Sequence, residues 1–195
     1  MKPFAAAGTR GLLGALSAVA FLLAASAAEA SSWRLDPSKS RLGFSGVQTG
    51  APFKGRFTRY SAVIAFDPDH LGASHVAVTI DLASAVTGDA QRDGALPGKD
   101  WFDVAEFPRA KFESTAIRRK GPNRYEAAGT LSLRGVSRPI VVPFTLDING
   151  PAAHARGQVN LTRTVFGVGQ GSWASGQWVA LTVGVDFDIL ATRAN

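Results

Sequence analysis

From Ile140 to Ile148 the chain alternates, with Ile140, Val142, Phe144, Leu146 and Ile148 on one side and Val141, Pro143, Thr145 and Asp147 on the other. A period of two belongs to a β-strand, whose successive side chains point to opposite faces. Val76, Val78, Ile80 and Leu82 repeat the pattern. So do Val179, Leu181, Val183, Val185, Phe187 and Ile189, opposed by Thr182, Asp186 and Asp188. The same reading predicts strands over 41–48, 53–67, 110–119, 124–134 and 154–162. Turn signals such as Asp67-Pro68-Asp69, Gly121-Pro122-Asn123 and Asn149-Gly150-Pro151 separate them. Helical spacing is nearly absent, so the expected class is all-β. Roughly eight antiparallel strands with one dry face each must close into a barrel or pair into a sandwich, and an eight-stranded barrel is just wide enough for a small ligand.

Two segments depart from this rhythm. Residues 87–108, TGDAQRDGALPGKDWFDVAEFP, show no clean alternation and read as a long connection with short helical turns. Loops of that length in a compact domain are often lids or mouths, and a strut that plugs one end of the barrel is the equal alternative. Trp101 and Phe102 sit in the middle of it, where an aromatic pair either caps the core or lines an entrance. At the other extreme, Lys2 and Arg10 precede an apolar stretch from Gly11 to Ala25, followed by Ala28-Glu29-Ala30. That order reads as a secretory signal peptide over 1–30, too short in its apolar part for the roughly 20 residues that span a bilayer. The expected mature domain runs from Ser31 to Asn195 and is exported.

Composition removes several functional classes. The absence of cysteine excludes disulfides, thiolate metal sites and a thiol nucleophile, and it suits an oxidising compartment such as the periplasm. The 21 Lys and Arg against 15 Asp and Glu give +6, but no basic run gathers that charge into a stripe for nucleic acid. His70, His75 and His154 have no metal-ligand spacing, and no G-x-S-x-G elbow supports a serine nucleophile. Asp100 and Asp103 read as capping or Lys99-pairing groups, Gly167, Gly169 and Gly171 as a turn or bulge, and Arg118-Arg119-Lys120 as a solvated hairpin tip. Neither a metal nor a cofactor is called for. An outer-membrane barrel would need the opposite arrangement, apolar outward and polar inward.

The residues also resemble a known family, the YceI proteins. The resemblance is carried in order by Asp36-Pro37, Ser40, Leu42 and Phe44, then by Gly55, Phe57, Tyr60, Ile64 and Phe66-Asp67-Pro68. Ser74, Val76, Val78-Thr79-Ile80, Arg92-Asp93, Asp100-Trp101-Phe102-Asp103, Phe107-Pro108, Phe112 and Ser114-Thr115 follow. Gly129-Thr130-Leu131-Ser132-Leu133-Arg134-Gly135-Val136-Ser137-Arg138-Pro139 is the most family-like string, and Arg163, Phe166 and Gly167 complete the set. The chain departs from many relatives in carrying Gln48 at the end of the first long strand, and Ala95, Pro97 and Gly98 in the long loop.

The resemblance implies an extended, lipocalin-like eight-stranded barrel whose dry interior accepts the tail of an isoprenoid quinone, polyprenyl phosphate or fatty amphiphile, without covalent chemistry. A small hydrolase or isomerase using the barrel as its pocket is the competing reading. The candidate ligand-binding residues are Phe44, Phe57, Trp101, Phe102, Phe112, Leu131, Phe144, Phe166 and Trp173. A membrane cytochrome b partner, suggested by the 166–173 stretch, and a homodimer are the further partners the resemblance admits.

Overall fold

The computed structural model describes Met1 and residues 30–194; the expected signal segment 2–29 lies outside the described residues. Eleven strands form one antiparallel sheet: β1 Ser32–Leu35, β2 Arg41–Gln48, β3 Ala51–Phe57, β4 Tyr60–Ala65, β5 His75–Asp81, β6 Ala85–Val86, β7 Arg109–Arg119, β8 Arg124–Leu133, β9 Val136–Asn149, β10 Ala152–Thr162 and β11 Thr182–Arg193. Eight of them, in the order β1-β4-β5-β7-β8-β9-β10-β11, make a ring closed by the pairing of Trp33 with Arg193 and Leu35 with Ala191. Of the two all-β closures that the alternation allowed, barrel or sandwich, the fold is the barrel, as the resemblance implied. β2 pairs with the other half of the same β11 edge, from Asp188↔Arg41 to Gly184↔Ser45, and carries β3 and β6 beyond it. β11 thus serves three partners: β10 along one edge, β1 and β2 along the other.

The predicted strand 53–67 is two strands. At the break, the Thr58 amide donates to the Ser84 carbonyl and the Arg59 amide to the Ser84 hydroxyl, so the 3-10 turn at Leu82–Ser84 captures the amides that would have continued a ladder. β3 stays with β2 while β4 crosses into the ring. The strand expected from Val179 begins only at Thr182, because the Arg163 side chain takes the carbonyls of Val179 and Ala180. Leu181 consequently lies outside the apolar face assigned to it and is 38% exposed.

Three of the hairpins turn in two residues, and two of these have positive φ at both central positions. Thr49-Gly50 has φ of 48° and 81°, and Arg134-Gly135 has 50° and 73°. Positive φ at both central positions gives the turn whose twist matches that of the flanking strands.

Inside, the apolar faces converge on two clusters. One holds Leu42, Phe44, Phe57, Leu82, Leu96, Phe102, Leu131, Phe166 and Val168; the other holds Trp33, Phe66, Ile117, Tyr125, Ala127, Ala153 and Ala191. Phe112 packs against both. A bulge at Ser114/Ala116 in β7 turns Ile117 inward, and the Ser114 hydroxyl accepts the Val76 amide at 2.8 Å. Apolar in and polar out is the reverse of a transmembrane barrel.

Candidate functional site: an apolar cavity inside the barrel

Between the clusters runs a cavity of about 310 Å³, at the low end of the range for small-molecule sites. Every ring strand contributes, and β9 alone supplies Ile140, Val142, Phe144, Leu146 and Ile148. Those five positions cover roughly 27 Å of strand at about 3.4 Å per residue, so the space is long and narrow. Among the described residues, Tyr60 and Arg163 are the only lining residues with a titratable side chain; the rest are aliphatic or aromatic.

Phe44, Phe57, Trp101, Phe102, Phe112, Leu131, Phe144 and Phe166 all line this space. Trp173 does not. Its ring packs against that of Trp101 at 5.5 Å without reaching the cavity wall. The 3-10 turn Gly171–Trp173 places it there, outside the strands that build the wall.

One end is shut by rings carried on strands. Tyr125 stacks on Phe144 at 5.5 Å and meets the edge of Phe66 at 5.4 Å. The Trp33 indole donates to the Phe66 carbonyl at 2.9 Å. Outside, Arg119 lies over Tyr125 and donates to the carbonyls of Pro68 and Pro122, and Lys120 pairs with Glu126. The tip expected to be simply solvated is tied down by these contacts.

The other end is shut by the loop from 87 to 108. Its helix, α1 at Ala90–Ala95, starts on the Asp89 carboxylate, which accepts the Arg92 amide. The Asp93 carboxylate accepts the Thr87 hydroxyl and amide and the Gly88 amide, and these bonds hold its pKa below the ordinary value. Arg92 stacks on Phe53 at 4.4 Å and donates to the side-chain carbonyl of Gln48, so this chain's Gln48 fastens the loop to the β2–β3 hairpin. Farther along, the Asp100 carbonyl accepts the amides of Gly169 and Gln170, and Arg134 donates to the Lys99 carbonyl. Asp103 pairs with Arg134 at 3.8 Å rather than with Lys99, each side chain only 13% exposed. Both residues hold φ near 50°, a conformation that costs a non-glycine residue about 1 kcal/mol or more.

Arg163 is the least expected element of the site. It is 3% exposed, and its five N–H groups go to the backbone carbonyls of Val168, Gly169, Trp173, Val179 and Ala180. Among the described residues no carboxylate lies within ion-pair distance of it. Burial lowers its pKa, yet a guanidinium stays charged near neutrality. Its plane sits 5.4 Å from Trp101, whose other neighbour is Trp173. Gly169, at φ 81°, passes so close to the guanidinium that a Cβ would strike it. The glycines between 167 and 171 thus form the turn read from the sequence, and Arg163 is the group they wrap. A lone arginine between the alternating strand that ends at Thr162 and a glycine-rich turn was the available signal.

A closed antiparallel barrel with an apolar internal cavity and a loop fastened over one mouth defines the class as a barrel of lipocalin-like architecture. The chain belongs to the YceI family: residues 33–191 match the model of the YceI-like domain. It is 37% identical over 134 residues to a UPF0312 protein of Photorhabdus laumondii, covering 67% of this chain and 69% of that one. A UPF0312 protein of Pseudomonas syringae is 36% identical over 111 residues, and there the match spans just over half the relative's length, 55%. Among solved structures it is similar to Burkholderia cenocepacia BcnA, at 35% identity and a TM-score of 0.78 over 81% of this chain and 99% of that one. A polyisoprenoid binding domain from Saccharophagus degradans shares the fold at 18% identity and a TM-score of 0.67, over 84% of this chain and 99% of that domain.

Proposed function

We propose that this protein is an exported, non-enzymatic carrier that holds the tail of an isoprenoid or similar amphiphilic lipid inside its barrel. The observation that carries the reading is the cavity itself, long, narrow and apolar from Ile148 to Trp101. Burying roughly 400 Å² of tail at about 25 cal/mol per Å² yields on the order of 10 kcal/mol before ordering costs, enough for micromolar binding or better. The polyisoprenoid binding assigned to the Saccharophagus domain agrees with that chemistry. Hydrolysis or isomerisation would need an activated nucleophile or an acid–base pair in the wall, and the titratable groups of the lining are Tyr60 and Arg163, the latter with every donor engaged.

The ligand enters past Trp101, on the loop-covered end, since the opposite end is filled by rings packed on the strands. Export follows from the 1–30 segment, and N-terminal sequencing of the secreted protein should begin at Ser31. Self-association and a membrane cytochrome b partner remain part of the proposal, each read out by crosslinking in the native periplasm. The decisive experiment is mass spectrometry of an organic extract of gently purified protein. A stoichiometric isoprenoid or other long-chain lipid supports the reading, and a water-soluble metabolite in its place refutes it.

A further inference from the structure

Tyr60 opens β4 and lines the cavity where it meets the cluster of Leu42, Phe57 and Leu82. Its hydroxyl is buried and has no hydrogen-bond partner among the described residues. Phenylalanine would fill the same wall without that defect, because a buried hydroxyl left unpaired forfeits the hydrogen bonds it made to water. Desolvation raises the phenol's pKa against the opposing pull of Arg41, so the group keeps its proton and acts as a donor.

The other polar group of the lining is complementary to it. Arg163 brings charge but no free N–H, all five being held by backbone carbonyls. A carboxylate or phosphate drawn this deep would surrender its water shell for a single hydroxyl, an exchange that strongly disfavours a full charge. An uncharged oxygen needs only one donor.

We propose that Tyr60 donates a hydrogen bond to a neutral acceptor oxygen on the bound molecule, so that the ligand is an apolar chain bearing a carbonyl or ether oxygen inside the barrel rather than a buried carboxylate or phosphate. This rests on the lipid-carrier reading and adds the chemistry of the ligand's polar end. One matched pair of probes isolates the contact: phytone, a branched isoprenoid ketone, and pristane, the hydrocarbon in which a methyl-bearing carbon replaces the carbonyl. Both are titrated by displacement of N-phenylnaphthylamine from the full-length mature protein and from Tyr60→Phe, with pristanic acid as the anionic counterpart.

The expected result is that the parent protein prefers phytone to pristane, and that Tyr60→Phe weakens phytone about fivefold, the worth of one neutral hydrogen bond. The variant should hold pristane as tightly or more tightly, and should unfold at the same or a higher denaturant concentration. An equal effect on both probes, or none, overturns the donor assignment while leaving the carrier reading intact. Tighter binding of pristanic acid than of phytone by both proteins overturns the neutral-ligand assignment. Lower stability of Tyr60→Phe would show that the hydroxyl serves the fold, and overturns it too. Failure of every probe to bind the parent protein removes the carrier reading and the inference with it.

Discussion

At one end of the barrel Trp33, Phe66, Tyr125 and Phe144 meet as rings borne on strands or at their ends, locked by an indole hydrogen bond and by stacking. At the other, Trp101 and Phe102 hang from a loop that is held at a few points: the Arg134 side chain on the Lys99 carbonyl, the Gly169 and Gln170 amides on the Asp100 carbonyl, and Asp93 on Thr87 and Gly88. Strand-borne rings can leave their places only if the sheet opens. A loop held at a few points can lift while the sheet persists, since local openings draw on the least cooperative parts of a structure. The first end is the more permanent of the two, and the second is the one that can open locally.

Phe144→Asp attacks the permanent end and should have the largest effect. A carboxylate would replace a ring stacked on Tyr125, so we expect a loss of at least about 4 kcal/mol in urea unfolding, or no folded protein at all. A stable Asp variant would mean that this end is wet and open. Arg163→Met tests the mouth. Leaving buried carbonyls unpaired should cost about 3 kcal/mol, and hydrogen exchange should accelerate in 99–102 and 163–181 while 64–66 and 144–148 stay protected. Uniform acceleration would show that the two ends open together.

Trp101→Ala should weaken a fluorescent isoprenoid or fatty-acid probe by about 1 to 3 kcal/mol, the burial of one large side chain, and should cost less in stability than in affinity. The reverse ranking would make Trp101 a plug of the core. Trp173→Ala sharpens this contrast: it removes only the ring behind Trp101, so affinity should fall by about 1 kcal/mol or less. The smallest effect is acid loosening of the mouth. The folded pKa of Asp93 lies below the ordinary carboxylate value, chiefly through the Thr87 hydroxyl bond, so the stabilisation from its bonds is complete above the ordinary value and fades as the pH falls through the lower, folded one. In Asp93→Asn, exchange at Thr87 and Gly88 should lose that acid dependence.

The barrel was legible because alternation is a local signal: each of β5, β9 and the body of β11 declares its dry face within nine residues or so, and eight such faces have few ways to be buried together. What was not legible depends on contacts distant in sequence. The break at Thr58 needs Ser84, more than twenty positions away, and the late start of β11 needs Arg163. Trp101 and Trp173 look alike in sequence, each an aromatic in a glycine-containing loop. Only the clasp around Arg163 decides which faces the cavity. Tyr60 was visible as part of a motif, but an unpaired hydroxyl has no sequence signature, because it is defined by what fails to reach it.

The position of β11 bears on how the chain comes together. It follows β10, β1 and β2 in chain order and pairs with all three, so neither the ring nor the β2–β3–β6 flap can find its last edge before β11 has been delivered. A chain threaded through an export pore with its amino end leading would stand for a time as an open, curved sheet, its oily face turned to whatever surrounds it. Contacts between the first and last strands form slowly for entropic reasons, and an apolar trough with unpaired edges invites other chains meanwhile. A lipid tail, or a chaperone able to shield that trough, would be most useful to this protein in the interval before the barrel exists.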